Sequence, residues 1–121
     1  MPDVETIETI MTRASAARLT APGPTPEHLA TILAAADRAP DHGRLKPWRL
    51  IVPDGPARQR FAEAVVEARR RRDPAADPEA LQKEREKFLR SPVLMIVGCV
   101  VRRDHPKVPE LEQILAAGAA V

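Results

Sequence analysis

Val93-Leu94-Met95-Ile96-Val97-Gly98-Cys99-Val100-Val101 is an unbroken apolar run with no alternation of polar and apolar side chains. A half-buried strand alternates, so a run of this kind predicts a strand covered on both faces, which normally lies at the centre of a layered α/β or α+β sheet. It is about half of the roughly 20 residues that a membrane helix needs, and no membrane partner is expected. Cys99 inside the run is expected in the core, because a reactive thiolate needs a polar, partly exposed setting.

Outward from this run, one other segment reads as a strand: Trp48-Arg49-Leu50-Ile51-Val52, closed by Pro53-Asp54-Gly55. Two strands do not make a stable sheet with both faces covered. A partner chain, or sequence beyond this chain, is therefore expected to complete it.

The remaining segments predict helices. Asp3 can cap a first helix carrying Val4, Ile7, Ile10 and Met11 at helical spacing. A polar, basic arm, Thr12 to Thr20, follows, and then Ala21-Pro22-Gly23-Pro24. Thr25-Pro26-Glu27 combines a capping hydroxyl, proline at the first helical position and an acid in the first turn. That helix has Leu29, Ile32, Leu33 and Ala36 as its expected buried face and ends by Pro40. A third helix from about Pro56 places Ala57, Phe61, Ala64, Val65 and Ala68 on one face and ends in Arg69-Arg70-Arg71-Arg72. Asp77-Pro78-Glu79 starts a fourth, with Glu79–Lys83 and Glu86–Arg90 as pairs four residues apart. After Pro109 a fifth begins, with Leu111, Ile114, Leu115 and Gly118 as its expected inner face, a pattern still running at Val121.

The composition bounds the function. A length of 121 residues suits one small domain over 1–121, and 44% apolar with 30% charged residues is an ordinary globular mixture. Thirteen prolines against five glycines predict short elements with many stops. The net charge of +2 is weak support for a nucleic-acid partner. Arg69 to Arg72 point all round a helix rather than along one stripe, and Trp48, Phe61 and Phe88 are too few for a base-stacking platform. No nucleic-acid partner is expected. Asp3, Glu5 and Glu8 stand where a secretory signal would be basic and then apolar, so a cytoplasmic location is expected.

Conventional catalytic patterns are missing from the sequence. His28, His42 and His105 are scattered without metal-ligand spacing, and no glycine-rich phosphate loop occurs. Two segments carry candidate chemistry. Thr12-Arg13-Ala14-Ser15-Ala16-Ala17-Arg18 sets two guanidinium groups and a hydroxyl on an arm, which suits a phosphate or is simply a solvated basic stretch. The loop from Arg38 to Trp48 gathers Arg38, His42, Arg44 and Lys46 beside an indole. That suits an anionic, partly aromatic ligand, or a turn in which Trp48 anchors the core.

Taken in order, Thr12-Arg13-Ala14-Ser15, Pro22-x-Pro24-Thr25 and Arg38-Ala39-Pro40-Asp41-His42-Gly43-x-x-Lys46-Pro47-Trp48 resemble the front half of the nitroreductase family, in its small single-domain, FMN-dependent NAD(P)H nitroreductase branch. His105-x-Lys107-Val108-Pro109, Glu112 and Ala117-Gly118 are similar to the same branch. The resemblance implies an α+β, three-layer fold, incomplete here with two strands and about five helices, the family's C-terminal part being absent. It implies an intertwined homodimer with FMN at the interface. Hydride would pass from NADH or NADPH through the flavin to a nitroaromatic or quinone-like acceptor, with no protein group as catalyst. Arg13, Ala14 and Ser15 would hold the ribityl phosphate, and Arg38, His42 and Lys46 would approach the flavin from the loop. The alternative is a non-catalytic dimerisation or interaction module that has lost flavin binding.

Overall fold

The computed structural model describes residues 4–121, so the expected cap at Asp3 lies outside the described residues. Five helices and two strands follow one another as α1 (Val4–Thr12), α2 (Pro26–Ala36), β1 (Trp48–Ile51), α3 (Gly55–Arg72), α4 (Pro78–Leu89), β2 (Ile96–Cys99) and α5 (Glu110–Ala119). A 3-10 turn, His42–Arg44, lies between α2 and β1. The fold is mixed α+β.

Local chemistry sets the helix starts. Thr25 accepts the His28 backbone N–H at 3.2 Å, and Pro26 occupies the first turn of α2. Pro78 does the same for α4. Of the two expected charge pairs on α4, Glu79–Lys83 forms at 2.6 Å, whereas Glu86 accepts from the Gln82 amide instead.

β1 and β2 pair antiparallel, with Trp48 opposite Cys99 and Ile51 opposite Ile96. The expectation that the 93–101 run is buried on both faces is not met: the strand spans only Ile96–Cys99, and Ile96, Val97 and Gly98 are half-buried. The reason is that β2 has a single strand neighbour in this two-stranded sheet. Cys99, expected in the core, is exposed at the end of the strand.

α3 and α4 form a packed helical hairpin. Ala62, Val66 and Leu81 are buried between them, and Phe61 meets Phe88 edge to face at 5.3 Å between ring centroids. Ala64 and Ala68, expected on the inner face of α3, are exposed; the helix turns its 62/66 stripe inward. Arg58 closes the hairpin by donating to the carbonyls of Phe88, Ser91 and Pro92. Those acceptors are at and just beyond the end of α4, where helical carbonyls lack partners.

The core beneath the sheet is Trp48, Ala116, Ala117 and Ala120, with Ala36, Ala39, Leu50 and Val97 packed against it. α5 therefore corrects the sequence expectation: Leu111, Ile114, Leu115 and Gly118 face outward, and Gln113, Ala116, Ala117 and Ala120 face inward. The two stripes share one spacing and differ by two residues, about 200° around a helix with 3.6 residues per turn. Small alanines let α5 approach the Trp48 indole closely. Gln113, only 1% exposed, is satisfied in full: Oε1 accepts the Arg102 N–H, and Nε2 donates to the Arg102 and Val108 carbonyls. The expected apolar faces of α1 and α2 are also more open than anticipated, with Ile7, Ile10, Met11 and Ile32 exposed.

Candidate functional site

The loop joining α2 to β1 is held in an unusual backbone shape. Gly43, Arg44 and Lys46 all have positive φ, at 75°, 53° and 45°. For arginine and lysine this region is costly, and such strain persists where the surroundings over-determine it. Here they do. Asp41 Oδ2 accepts the Lys46 backbone N–H at 2.7 Å, and a Cβ on Gly43 would stand 3.0 Å from Val108 Cγ2.

Asp37, the residue that caps the C-terminus of α2, gathers the two ends of this loop. Its carboxylate accepts Lys46 Nζ through one oxygen and Trp48 Nε1, at 3.2 Å, through the other. The Lys46 ammonium, and then the indole N–H, hold the Asp37 carboxyl below its ordinary range. Lys46 is thereby drawn toward α2 and aligned beside Trp48, along a cleft of about 360 Å3 that Leu33 and Leu50 also line. Sequence reading missed Asp37. The available signal was its charge, since an acid at a helix C-terminus opposes the helix dipole and invites another explanation.

His42 turns the other way. Its Nδ1 lies 2.7 Å from Glu112 Oε2 in the first turn of α5. Nothing in the local sequence could have announced a pair separated by seventy residues. Arg38 lies just beyond α2, exposed, in the turn that its backbone N–H closes on the Ala35 carbonyl.

The arm after α1 is exposed at every residue from Arg13 to Thr20. Arg13 Nη1 donates to Ser15 Oγ at 3.2 Å, with Ala14 between them. This leaves the serine O–H and the other guanidinium N–H groups to donate outward, a donor set that suits phosphate oxygens. Among the described residues, no hydrogen bond or ion pair joins the arm to Arg38, His42 or Lys46. The structure thus presents two groups of donors, an open arm and a fixed loop, without bonding them to each other.

His105 has a structural role. Its Nδ1 accepts the backbone N–H groups of Val108 and Lys107, shaping the turn before α5. Arg69 pairs with Glu84 and Arg70 with Glu67, in keeping with a solvated helix end. Among the described residues no cluster of three potential metal ligands occurs, and no helix is long and apolar enough to cross a membrane.

An α+β chain with this arm, this loop and this strand pair defines a class, and the chain belongs to the nitroreductase family, whose model matches residues 10–121. Among curated proteins it is similar to "Putative NAD(P)H nitroreductase YdjA" of Escherichia coli (strain K12), at 39% identity over 118 residues, covering 98% of this chain and 63% of that protein. It is likewise similar to "Putative NAD(P)H nitroreductase" of Haemophilus influenzae, at 36% identity over 119 residues, covering 97% of this chain and 62% of that protein. The chain therefore spans less than two thirds of the length of these relatives.

Proposed function

We propose that this chain forms part of an FMN-dependent oxidoreductase that takes hydride from NADH or NADPH and passes it to nitroaromatic or quinone-like acceptors. The observation that carries the reading is the pair of donor groups on a family-matched chain: Arg13 and Ser15 on an open arm, and a strained, multiply tied loop carrying Arg38, His42 and Lys46. Arg13 and Ser15 hold the phosphate of FMN, with Ala14 leaving the backbone open to it. The loop residues border the ring system.

FMN, when bound, supplies the hydride-accepting and hydride-donating chemistry. The chain's part is placement. The guanidinium neutralises phosphate charge, Asp41 fixes the loop through Lys46 N–H, and Asp37 keeps the Lys46 ammonium alongside Trp48. A homodimer is part of the same reading. It is supported by the outward face of α5, where Leu111, Ile114 and Leu115 are exposed together, and by the lack, among the described residues, of any hydrogen bond or ion pair between the arm and Arg38, His42 or Lys46. An arm from one protomer and a loop from its partner would complete each site.

The test is flavin binding. The purified protein is expected to show flavin absorption bands, and Arg13→Ala should weaken FMN binding by about 1.5–3 kcal/mol, as for a charge-assisted hydrogen bond. Riboflavin lacks the phosphate and should respond much less. Equal losses for the two ligands would remove Arg13 from the phosphate site.

A further inference from the structure

His42 and His105 present the same ring atom to opposite kinds of partner. His105 Nδ1 accepts backbone N–H groups, at 3.0 Å from Val108 and 3.3 Å from Lys107, so that nitrogen carries no proton. His42 Nδ1 is 2.7 Å from a carboxylate oxygen of Glu112, and an ionised carboxylate only accepts. Nδ1 of His42 must therefore be the protonated nitrogen. Glu112 fixes the neutral ring in its Nδ1–H form and leaves Nε2 as the atom where the ring gains and loses a proton.

The surroundings point to use of that atom. Both side chains are largely exposed, at 60% and 47%, where an ion pair adds little to stability. With Pro40, Asp41, Leu115 and Ala116 they line a cleft of about 320 Å3 between the loop and α5. Asp41 in this cleft is engaged by the Lys46 N–H. The other charged side chains on the two elements that meet here are Arg38, Arg44 and Lys46 on the loop, Lys46 being paired with Asp37, and Glu110 on α5, all exposed.

We propose that His42 donates a proton to an acceptor seated in this cleft, a small ring bearing a carbonyl such as a quinone, and that Glu112 is its positioning residue. The proposal rests on the oxidoreductase reading above. A quinone that has taken up one hydride, originating from NAD(P)H, is a hydroquinone monoanion and needs one more proton. The Nε2–H bond of the His42 imidazolium breaks and an O–H bond forms on the quinone oxygen. The ring is left neutral, with its Nδ1–H still donated to Glu112, and solvent restores the proton to Nε2.

Two measurements test this. Nitrogen-15 NMR of the chain should show neutral His42 as Nδ1–H and His105 as Nε2–H, and Glu112→Ala should release His42 to the mixture typical of a free imidazole while His105 stays unchanged. A wild-type His42 that is mainly Nε2–H overturns the proposal, with or without flavin. In the flavin-loaded protein, His42→Asn should slow reoxidation by a quinone about a hundredfold, the scale of general acid catalysis. Ferricyanide, which takes electrons without a proton, should be slowed far less than the quinone when rates are taken per bound flavin. Equal slowing with both oxidants overturns the proton role. A wild-type chain without flavin would instead defeat the oxidoreductase reading, and the tautomer measurement would still judge the dyad.

Discussion

The α3–α4 hairpin and the half of the molecule formed by the loop and α5 solve opposite problems. In the hairpin, large apolar side chains face inward: Phe61 meets Phe88, and Leu81 is buried. Its charges are closed across the two helices, Arg69 on Glu84 and Arg85 on Glu63. In α5 the large apolar side chains face outward, while a glutamine and alanines fill the interior. The hairpin is complete within this chain; α5 is satisfied on one side and leaves an apolar face open. Surface of that kind marks an interaction site, which is where the proposed homodimer would form.

Substitutions at three positions probe this contrast, beginning with the largest effect. Leu81→Ala in the hairpin should cost about 2–5 kcal/mol in denaturant unfolding, because it empties a buried site. If it costs nothing measurable, the hairpin is not the closed unit described. Gln113→Ala should cost about 1–3 kcal/mol, since it strips partners from the Arg102 N–H and from two carbonyls. Gln113→Leu should fare no better, which separates lost hydrogen bonding from lost volume. Leu115→Ala, at a side chain 62% exposed, should change monomer stability by less than about 0.5 kcal/mol. A loss as large as that of Leu81→Ala, together with a melting temperature that rises with protein concentration, would show that this face is covered in solution by a second copy.

The same contrast explains how much could be read from sequence. Helix starts were legible because they are local chemistry: Thr25-Pro26-Glu27 and Asp77-Pro78-Glu79 both begin helices where expected. Both strands were legible, and β1 was placed within a residue at its end. The inner face of α5 was not. Its stripes at 111/114/115/118 and 113/116/117/120 have equal periodicity, and hydrophobicity alone chose the wrong one. Only the partners of Gln113 and the indole that needs close packing decide between them, and those lie far away in the chain.

For the site, the basic character of the arm and the loop was visible from residue types. The acids that orient its residues, Asp37 for Lys46 and Glu112 for His42, were not singled out for those roles, since each pairing is made by the fold.

Arg58 has a consequence for the order in which the chain comes together. Trp48 and Cys99 are strand neighbours separated by about fifty residues, and closing so long a connection is entropically slow. Nearly all of that connection is the α3–α4 hairpin, whose contacts are local. Arg58 stands shortly after β1, and its acceptors at Phe88, Ser91 and Pro92 stand shortly before β2. Once the guanidinium has engaged them, the two strand segments are neighbours before a single sheet bond exists. Arg58→Ala should therefore lower the folding rate more than it raises the unfolding rate in stopped-flow experiments, the signature of a contact made before the transition state. Unfolding accelerated alone would mean that the strands meet first and the clamp closes afterwards.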